Sequence, residues 1–492
     1  MKKHTAMVCI IGTGFGGLGM AIRLKQEGID DFILLEKAHE VGGCWRDNHY
    51  PGAACDVPSH LYSFSFEPKT DWSRKFAPQP EIYDYLRHCA DKYGLRSHIR
   101  FGTEVASAAF DAERGVWTVR STDDRVFEAR MLVSACGQLN RPAYPKVEGL
   151  DDFAGPRFHS ARWDHDVDLR GKRVAVIGSG ASAIQFVPQI AKQVGHLDLY
   201  QRTAPYVMPK PDRRYSVIEK QLYSHLPAVQ RMDRIAQYWT HEVRALAFTR
   251  FSGLLKPYRW RFHKYLQRNI HDPALRQRLE PDYPIGCKRV LISNDWFEAL
   301  ARPNVEVVTE AIERVTPRGI RTRDGREHAA DVLIYGTGFQ ATDFLAPMQI
   351  RGLGGVELNE AWRGGAEAYL GMAVSGFPNL FMLYGPNTNL GHSSIVYMLE
   401  SQIGYVMQAL EKLRAGMRWL DVKPQVQQRF NRALQERIKH TVWDQGCSSW
   451  YKTADGKNTN NWPGFTFEYR RSTRTLDPDA YTLEPTTSAA AA

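Results

Sequence analysis

Short apolar runs that end abruptly in glycine or a charge recur along the chain, and they predict buried strands of a parallel sheet. Met7-Val8-Cys9-Ile10-Ile11 is the first. It runs into Gly12-Thr13-Gly14-Phe15-Gly16-Gly17, after which the period changes to a helical one at Leu18, Ala21, Ile22, Leu24 and Lys25, closed by Gly28. Phe32-Ile33-Leu34-Leu35 is a second strand with Glu36 at its end. Strand, G-x-G-x-x-G turn, helix, strand and acid in this order are the fingerprint of a dinucleotide site. The glycines let a pyrophosphate approach the helix N-terminus, whose free N–H groups and dipole favour anions. Glu36 is positioned to accept hydrogen bonds from a ribose diol.

The pattern repeats at Arg173-Val174-Ala175-Val176-Ile177, followed by Gly178-Ser179-Gly180-Ala181-Ser182-Ala183. Ala183 takes the third glycine's position, a substitution the fingerprint allows. The next strand, Leu197 to Gln201, ends in Arg202-Thr203 where the first copy has Glu36. An acid there repels a 2′-phosphate, whereas Arg pairs with it. The first site therefore suits a dinucleotide with a free ribose and the second suits NADPH.

Two further runs, Met131 to Gly137 and Ala330 to Phe339, have the shape of strands that return the chain between two nucleotide-binding halves. The expected fold is α/β, with two Rossmann-like domains and a helical insertion. The first domain spans residues 1–150, the second 151–330 with an insert at about 212–285, and the first resumes over 331–470. Helical spacing marks the insert at Ala228-Val229, Met232, Ile235-Ala236, Tyr238-Trp239, Val243 and Leu246-Ala247. Residues 471–492 are polar and aperiodic, and are expected to form a flexible tail.

Composition narrows the function classes. The 492 residues hold 64 Lys plus Arg against 54 Asp plus Glu, a net charge of +10. Residues 213–280 alone carry 14 Lys or Arg and five acids, so nine of the ten excess charges lie on the insert. That field steers an anionic coenzyme in the first reading, and membrane contact is the second. No apolar run reaches the ~18 residues of a membrane span. The apolar stretch after Met1-Lys2-Lys3 is broken by Gly12 and Gly14, which argues against a signal peptide. Seven cysteines without a CxxC pair speak against a disulfide framework and for a reducing cytoplasm. No metal-ligand set is singled out.

Phe153-Ala154-Gly155-Pro156-Arg157-Phe158-His159-Ser160-Ala161-Arg162-Trp163-Asp164 forms F-x-G-x-x-x-H-x-x-x-W-D. Here the chain resembles the Baeyer–Villiger monooxygenases, class B flavin enzymes that use FAD and NADPH. Gly42-Gly43-Cys44-Trp45-Arg46-Asp47-Asn48-His49-Tyr50-Pro51-Gly52-Ala53-Ala54-Cys55-Asp56 fits the same family, and the resemblance covers about residues 5–470. A disulfide reductase of similar fold needs two cysteines spaced by four residues after the Gly-Gly turn; here the next cysteine after Cys44 is Cys55, eleven positions on.

The resemblance implies a cycle in which reduced flavin forms a C4a-peroxide that attacks a ketone, giving an ester or lactone. Such chemistry needs a fixed cation in a site that excludes water. By resemblance, Arg289 is that cation, Asp56 pairs with it, and Lys288 joins Arg202 on the 2′-phosphate. His159 is implied to lie on the link between domains, acting on their coupling. FAD would be held by Gly12, Gly14, Phe15, Gly17, Glu36, Cys44, Trp45, Asp47, Asp56, Tyr62 and Val105. NADP would be held by Gly178, Ser179, Gly180, Ala181, Ser182, Gln185, Arg202, Thr203 and Lys288. Arg289, Asn389 and Trp450 complete the set, Trp450 by closing over NADP.

The implied partners are O2 and a small ketone, with the Ser449-Trp450-Tyr451 to Gly464 stretch closer to members acting on aryl or open-chain ketones. Two alternatives stay open. One is a class B enzyme acting on sulfur or nitrogen, whose electrophilic oxidant needs no Arg289. The other is a basic membrane- or nucleic-acid-binding protein on a flavoprotein scaffold, supported by the insert's charge and weakened by the lack of a recognition motif.

Overall fold

The computed structural model of the chain describes residues 5–447 and 449–486. Met1-Lys2-Lys3, Ser448 and residues 487–492 of the expected tail lie outside the described residues. Val8, Cys9 and Ile10 are fully buried on successive positions, so both faces of the first strand are covered. That is why the run reads as continuous rather than alternating.

Thr5–Ile11 lies in parallel between Phe32–Leu35, with Ile11 opposite Leu35, and Val126–Ser134, with Ile11 opposite Ser134. Val105–Asp111 and Val116–Ser121 extend this sheet in antiparallel fashion. Leu380–Met382 returns much later to pair in parallel with Val126–Ser134. The sheet is therefore built from distant parts of the chain.

The second sheet is wholly parallel and runs Val305–Val308, His196–Tyr200, Arg173–Ile177, Val332–Tyr335, Arg157–His159. Each sheet has its own hydrophobic core. The two are tied together because Tyr50, Ala53, Val442, Trp443 and Tyr451 pack into the second core.

Both glycine turns form where the sequence predicts them. Gly12 has φ +99°, and a Cβ on it would sit 2.8 Å from the Ala135 carbonyl oxygen. A Cβ on Gly17 would come within 1.9 Å of the Gly12 oxygen, so the helix Phe15–Gln26 packs on its strand only through glycine. Gly178 repeats the arrangement with φ +107° and the Gly336 oxygen 2.4 Å from its would-be Cβ.

The insert folds as helices, chiefly Val217–His225, Pro227–Glu242 and Lys256–Asn269. Phe262 and Leu266 join the second core, while Val229 and Tyr238 pack on the first. Two expectations are corrected. Residues 471–485 are not a flexible tail: Tyr481–Pro485 pairs antiparallel with Met417–Val422, and Leu476, Ala480 and Tyr481 are buried. A strand that pairs across sixty residues shows no local period strong enough to announce it. The cysteines are not all free either, since Cys287 and Cys447 are disulfide-bonded across 160 residues.

Candidate active site

The carboxyl ends of the parallel strands of both sheets open into one cavity of ≈ 1970 Å³. In open α/β sheets this is where the fold leaves backbone N–H groups and loop side chains free to bind. Every residue named above for cofactor binding lines it except Gly17, whose role is the helix–strand contact just described.

On the first side Glu36 is buried at its strand end. Its carboxylate accepts from the Thr13 backbone N–H at 3.1 Å, the Thr13 hydroxyl at 2.5 Å and the Ala38 N–H at 2.9 Å, with the Arg46 guanidinium 3.1 Å away. The short helix Cys44–Asp47 supplies Cys44, Trp45 and Asp47. Trp45 Nε1 donates to the Tyr62 hydroxyl at 3.2 Å. Val105 comes from the antiparallel strand beside them.

On the second side Gly178, Ser179, Gly180, Ala181 and Ser182 form the turn, and the Ser179 hydroxyl donates to the Thr203 carbonyl at 3.3 Å. Arg202 and Lys288 stand on the same wall, close enough that burial and the Arg202 charge together push the Lys288 ammonium down. Two cations close together on one cavity wall favour an anion beside them. Gln185 crosses between the sides: its Oε1 accepts from the Tyr50 hydroxyl at 2.9 Å and its Nε2 donates to the Ala54 carbonyl at 2.9 Å.

Asp56 and Arg289 meet where the two sides join. Arg289 donates to one oxygen of Asp56 through Nε at 3.0 Å and a terminal nitrogen at 2.5 Å. Both side chains are partly exposed to the cavity rather than to the surface. Burial works against the Asp56 charge, but the Arg289 guanidinium outweighs it and holds the carboxyl below its usual range. Asp56 in turn raises Arg289, so the cation is permanent at any working pH.

Sequence reasoning passed over several groups here. Tyr451 is buried beside Arg289; among the described residues its hydroxyl has no hydrogen-bond partner, and burial pushes it up to about 12. Tyr384 has φ +64°, a strained backbone for a bulky residue, and its hydroxyl donates to Asn389 Oδ1 at 2.7 Å. Lys210 adds a second positive charge near Asp56. Each is adjacent to a motif already quoted or lies at a strand end, but nothing in its own spacing distinguishes it. Trp450 lines the cavity with its ring 4.4 Å from that of Tyr451. The Cys287–Cys447 bond ties the loop before Lys288-Arg289 to the segment before Trp450. His159 does not line the cavity; it is buried at a strand end, its Nδ1 accepting from the Ala161 N–H at 3.1 Å.

Comparison with known proteins agrees with this geometry. A family described as "Pyridine nucleotide-disulphide oxidoreductase" matches residues 9–249. Cys44 and Cys55 in that span are both unbonded. A "Baeyer-Villiger monooxygenase" of Pseudomonas aeruginosa is 49% identical over 486 residues, covering 98% of this chain and 92% of that protein. A solved structure described as "Oxidized steroid monooxygenase bound to NADP" superposes with a TM-score of 0.88 at 31% identity, covering 98% of this chain and all of that one. Another, "OTEMO complex with FAD and NADP", gives 0.87 at 27% identity, with the same coverage.

Proposed function

Because this chain belongs to the Baeyer–Villiger monooxygenases, we propose that its cavity converts a ketone to an ester or lactone beside Arg289. FAD and NADPH are its cofactors. We assign FAD to the side made by residues 1–150 and 331–470, and NADPH to the side made by 151–330. The residues present fit both groups. Each turn has a glycine whose Cβ would collide with backbone, so the main chain is held close and bare where a pyrophosphate approaches. Glu36 ends one side and the Arg202–Lys288 pair the other, which is the charge difference between a free ribose and a 2′-phosphate. When bound, the flavin reduced by NADPH supplies the oxygen-activating chemistry that delivers one atom of O2 to the substrate.

The chain's own groups do the rest. Arg289 offers a fixed guanidinium to the negative charge that develops as the carbonyl is attacked. Asp56 orients that guanidinium and offsets its charge, so it remains ionised on the half-buried cavity wall. The Tyr451 hydroxyl, without a partner among the described residues, is a further donor beside the same point. Trp450, with Tyr451 behind it, covers the NADPH side. Gln185 couples the NADPH turn to the Tyr50–Asp56 stretch, so a shift at one is felt at the other.

The observation that carries this reading is the Asp56–Arg289 pair at the junction of two nucleotide turns. An electrophilic oxidation at sulfur or nitrogen has no use for a guanidinium held this way. The substrate class we infer is an aryl or open-chain ketone, and the setting a cytoplasmic one: five of the seven cysteines are unbonded, although Cys287 and Cys447 are joined. A panel of ketones and sulfides, followed by NADPH consumption and chromatographic identification of products, tests it. Esters from open-chain ketones are expected; sulfoxides alone overturn it.

A further inference from the structure

The helix Pro227–Glu242 is turned inside out. Its buried residues are Gln230, Gln237, His241 and Glu242, all polar. Arg234 on the same side donates to the backbone carbonyls of His60 and Ser63. The opposite face carries Met232, Ile235, Trp239 and, at its C-cap, Val243, which are 69%, 50%, 51% and 58% exposed. Their spacing of three, four and four makes one continuous stripe. A helix on a soluble surface buries that stripe and shows its polar side to water.

The chain continues in the same vein. Phe251, Leu254, Tyr258 and Trp260 are all exposed. Residues 250–271 contain six Lys or Arg and no acid. The Lys264 ammonium sits 4.1 Å over the Trp260 ring. Of the insert's five acids, Asp272 is exposed at a helix N-cap and Glu280 lies 3.4 Å from His263; the other three are engaged. Asp233 accepts from the Tyr223 hydroxyl and Gln237, Glu242 is buried against Thr466, and Glu219 is paired with Arg213.

We propose that this face of the insert docks on an anionic lipid bilayer, with the stripe at the acyl boundary and the cations among the headgroups. Apolar residues with Trp and Tyr at their edge, interleaved with Lys and Arg, are what an interfacial helix requires. A second copy of the chain would bring an equally basic surface against this one, and the like charges would repel. The contact lies on the surface only, since among the described residues no helix is long and apolar enough to cross a membrane. It also leaves the reaction site free: no residue of 213–280 lines the cavity.

The test is co-sedimentation of the FAD-loaded full chain with vesicles of mixed phosphatidylglycerol and phosphatidylcholine, and with vesicles of phosphatidylcholine alone. Binding to the mixed vesicles, falling as salt rises, is expected. The double variant Ile235→Ser/Trp239→Ser should bind about tenfold or more weakly. Arg259→Glu/Lys264→Glu should remove the salt-sensitive part, and both variants should keep the wild-type rate of ketone-dependent NADPH oxidation. Absence of wild-type binding to the mixed vesicles, or equal binding to neutral ones, overturns the proposal. So does a wild-type dimer by light scattering that Ile235→Ser/Trp239→Ser converts to monomer, since that outcome gives the face to a second copy.

Discussion

Arg289 donates twice to the same carboxylate oxygen of Asp56, joining positions 233 residues apart at the meeting point of two nucleotide-binding sides. The contact commits one oxygen of Asp56 to Arg289 and sets the guanidinium on the cavity wall. Charge and orientation are thereby provided by two side chains.

Arg289→Ala should still allow NADPH to reduce the flavin while ester formation falls below detection. Rapid-mixing absorbance for reduction, with chromatography for product, separates the two. Ester formation at the wild-type rate would remove Arg289 from the reaction.

Asp56→Asn keeps the shape and removes the charge opposite Arg289. Breaking a fully buried pair costs ~3–5 kcal/mol; with both partners facing the cavity, about half that is expected as a lower melting temperature. The Asp56 carboxyl is held below its usual range, so the pair's contribution is present above ordinary carboxylate pKa values and lost as pH falls through the lowered one. Melting curves at neutral and acid pH should therefore differ between wild type and variant at neutral pH and converge in acid.

Arg202→Ala and Lys288→Ala should each raise KM for NADPH far more than for NADH. Steady-state kinetics with both coenzymes decides it. Equal losses would mean that neither cation touches the 2′-phosphate.

Gln185→Ala cuts the hydrogen bonds to Tyr50 and Ala54 that bridge the two sides. The expected result is a larger share of NADPH oxidised without product, at little change in KM. Measuring the ratio of ester formed to NADPH consumed is the check.

Three histidines, His60, His159 and His241, are buried, and burial pushes each down to about 4. Unfolding restores an ordinary histidine, which binds protons at a higher pH than the folded form. Stability should therefore fall as pH drops from about 6.5 towards 4, by up to about 3 kcal/mol per histidine. His159→Asn should flatten the dependence of melting temperature on pH across that window.

What could be read directly from the chain was local. The strand, glycine turn, helix, strand and terminal acid or Arg occupy a few dozen consecutive residues, and the backbone itself enforces them: Gly12 and Gly17 face each other at a distance no side chain permits. The two turns, Glu36, Arg202 and the F-x-G-x-x-x-H-x-x-x-W-D stretch were legible for that reason. Tertiary structure decided whatever depends on two distant segments meeting. The Gln185 bridge, Tyr451 beside Trp450 and the Cys287–Cys447 bond have no local signature, because any of these residues is stable alone on a surface; the Asp56–Arg289 pair was expected through the family resemblance alone. Tyr481–Pro485 became a strand only by finding Met417–Val422. The helix Pro227–Glu242 shows the limit most plainly. Its periodicity marks an apolar face, yet the period is the same whichever way the helix is rotated, and only packing against the rest of the molecule turned that face to the outside.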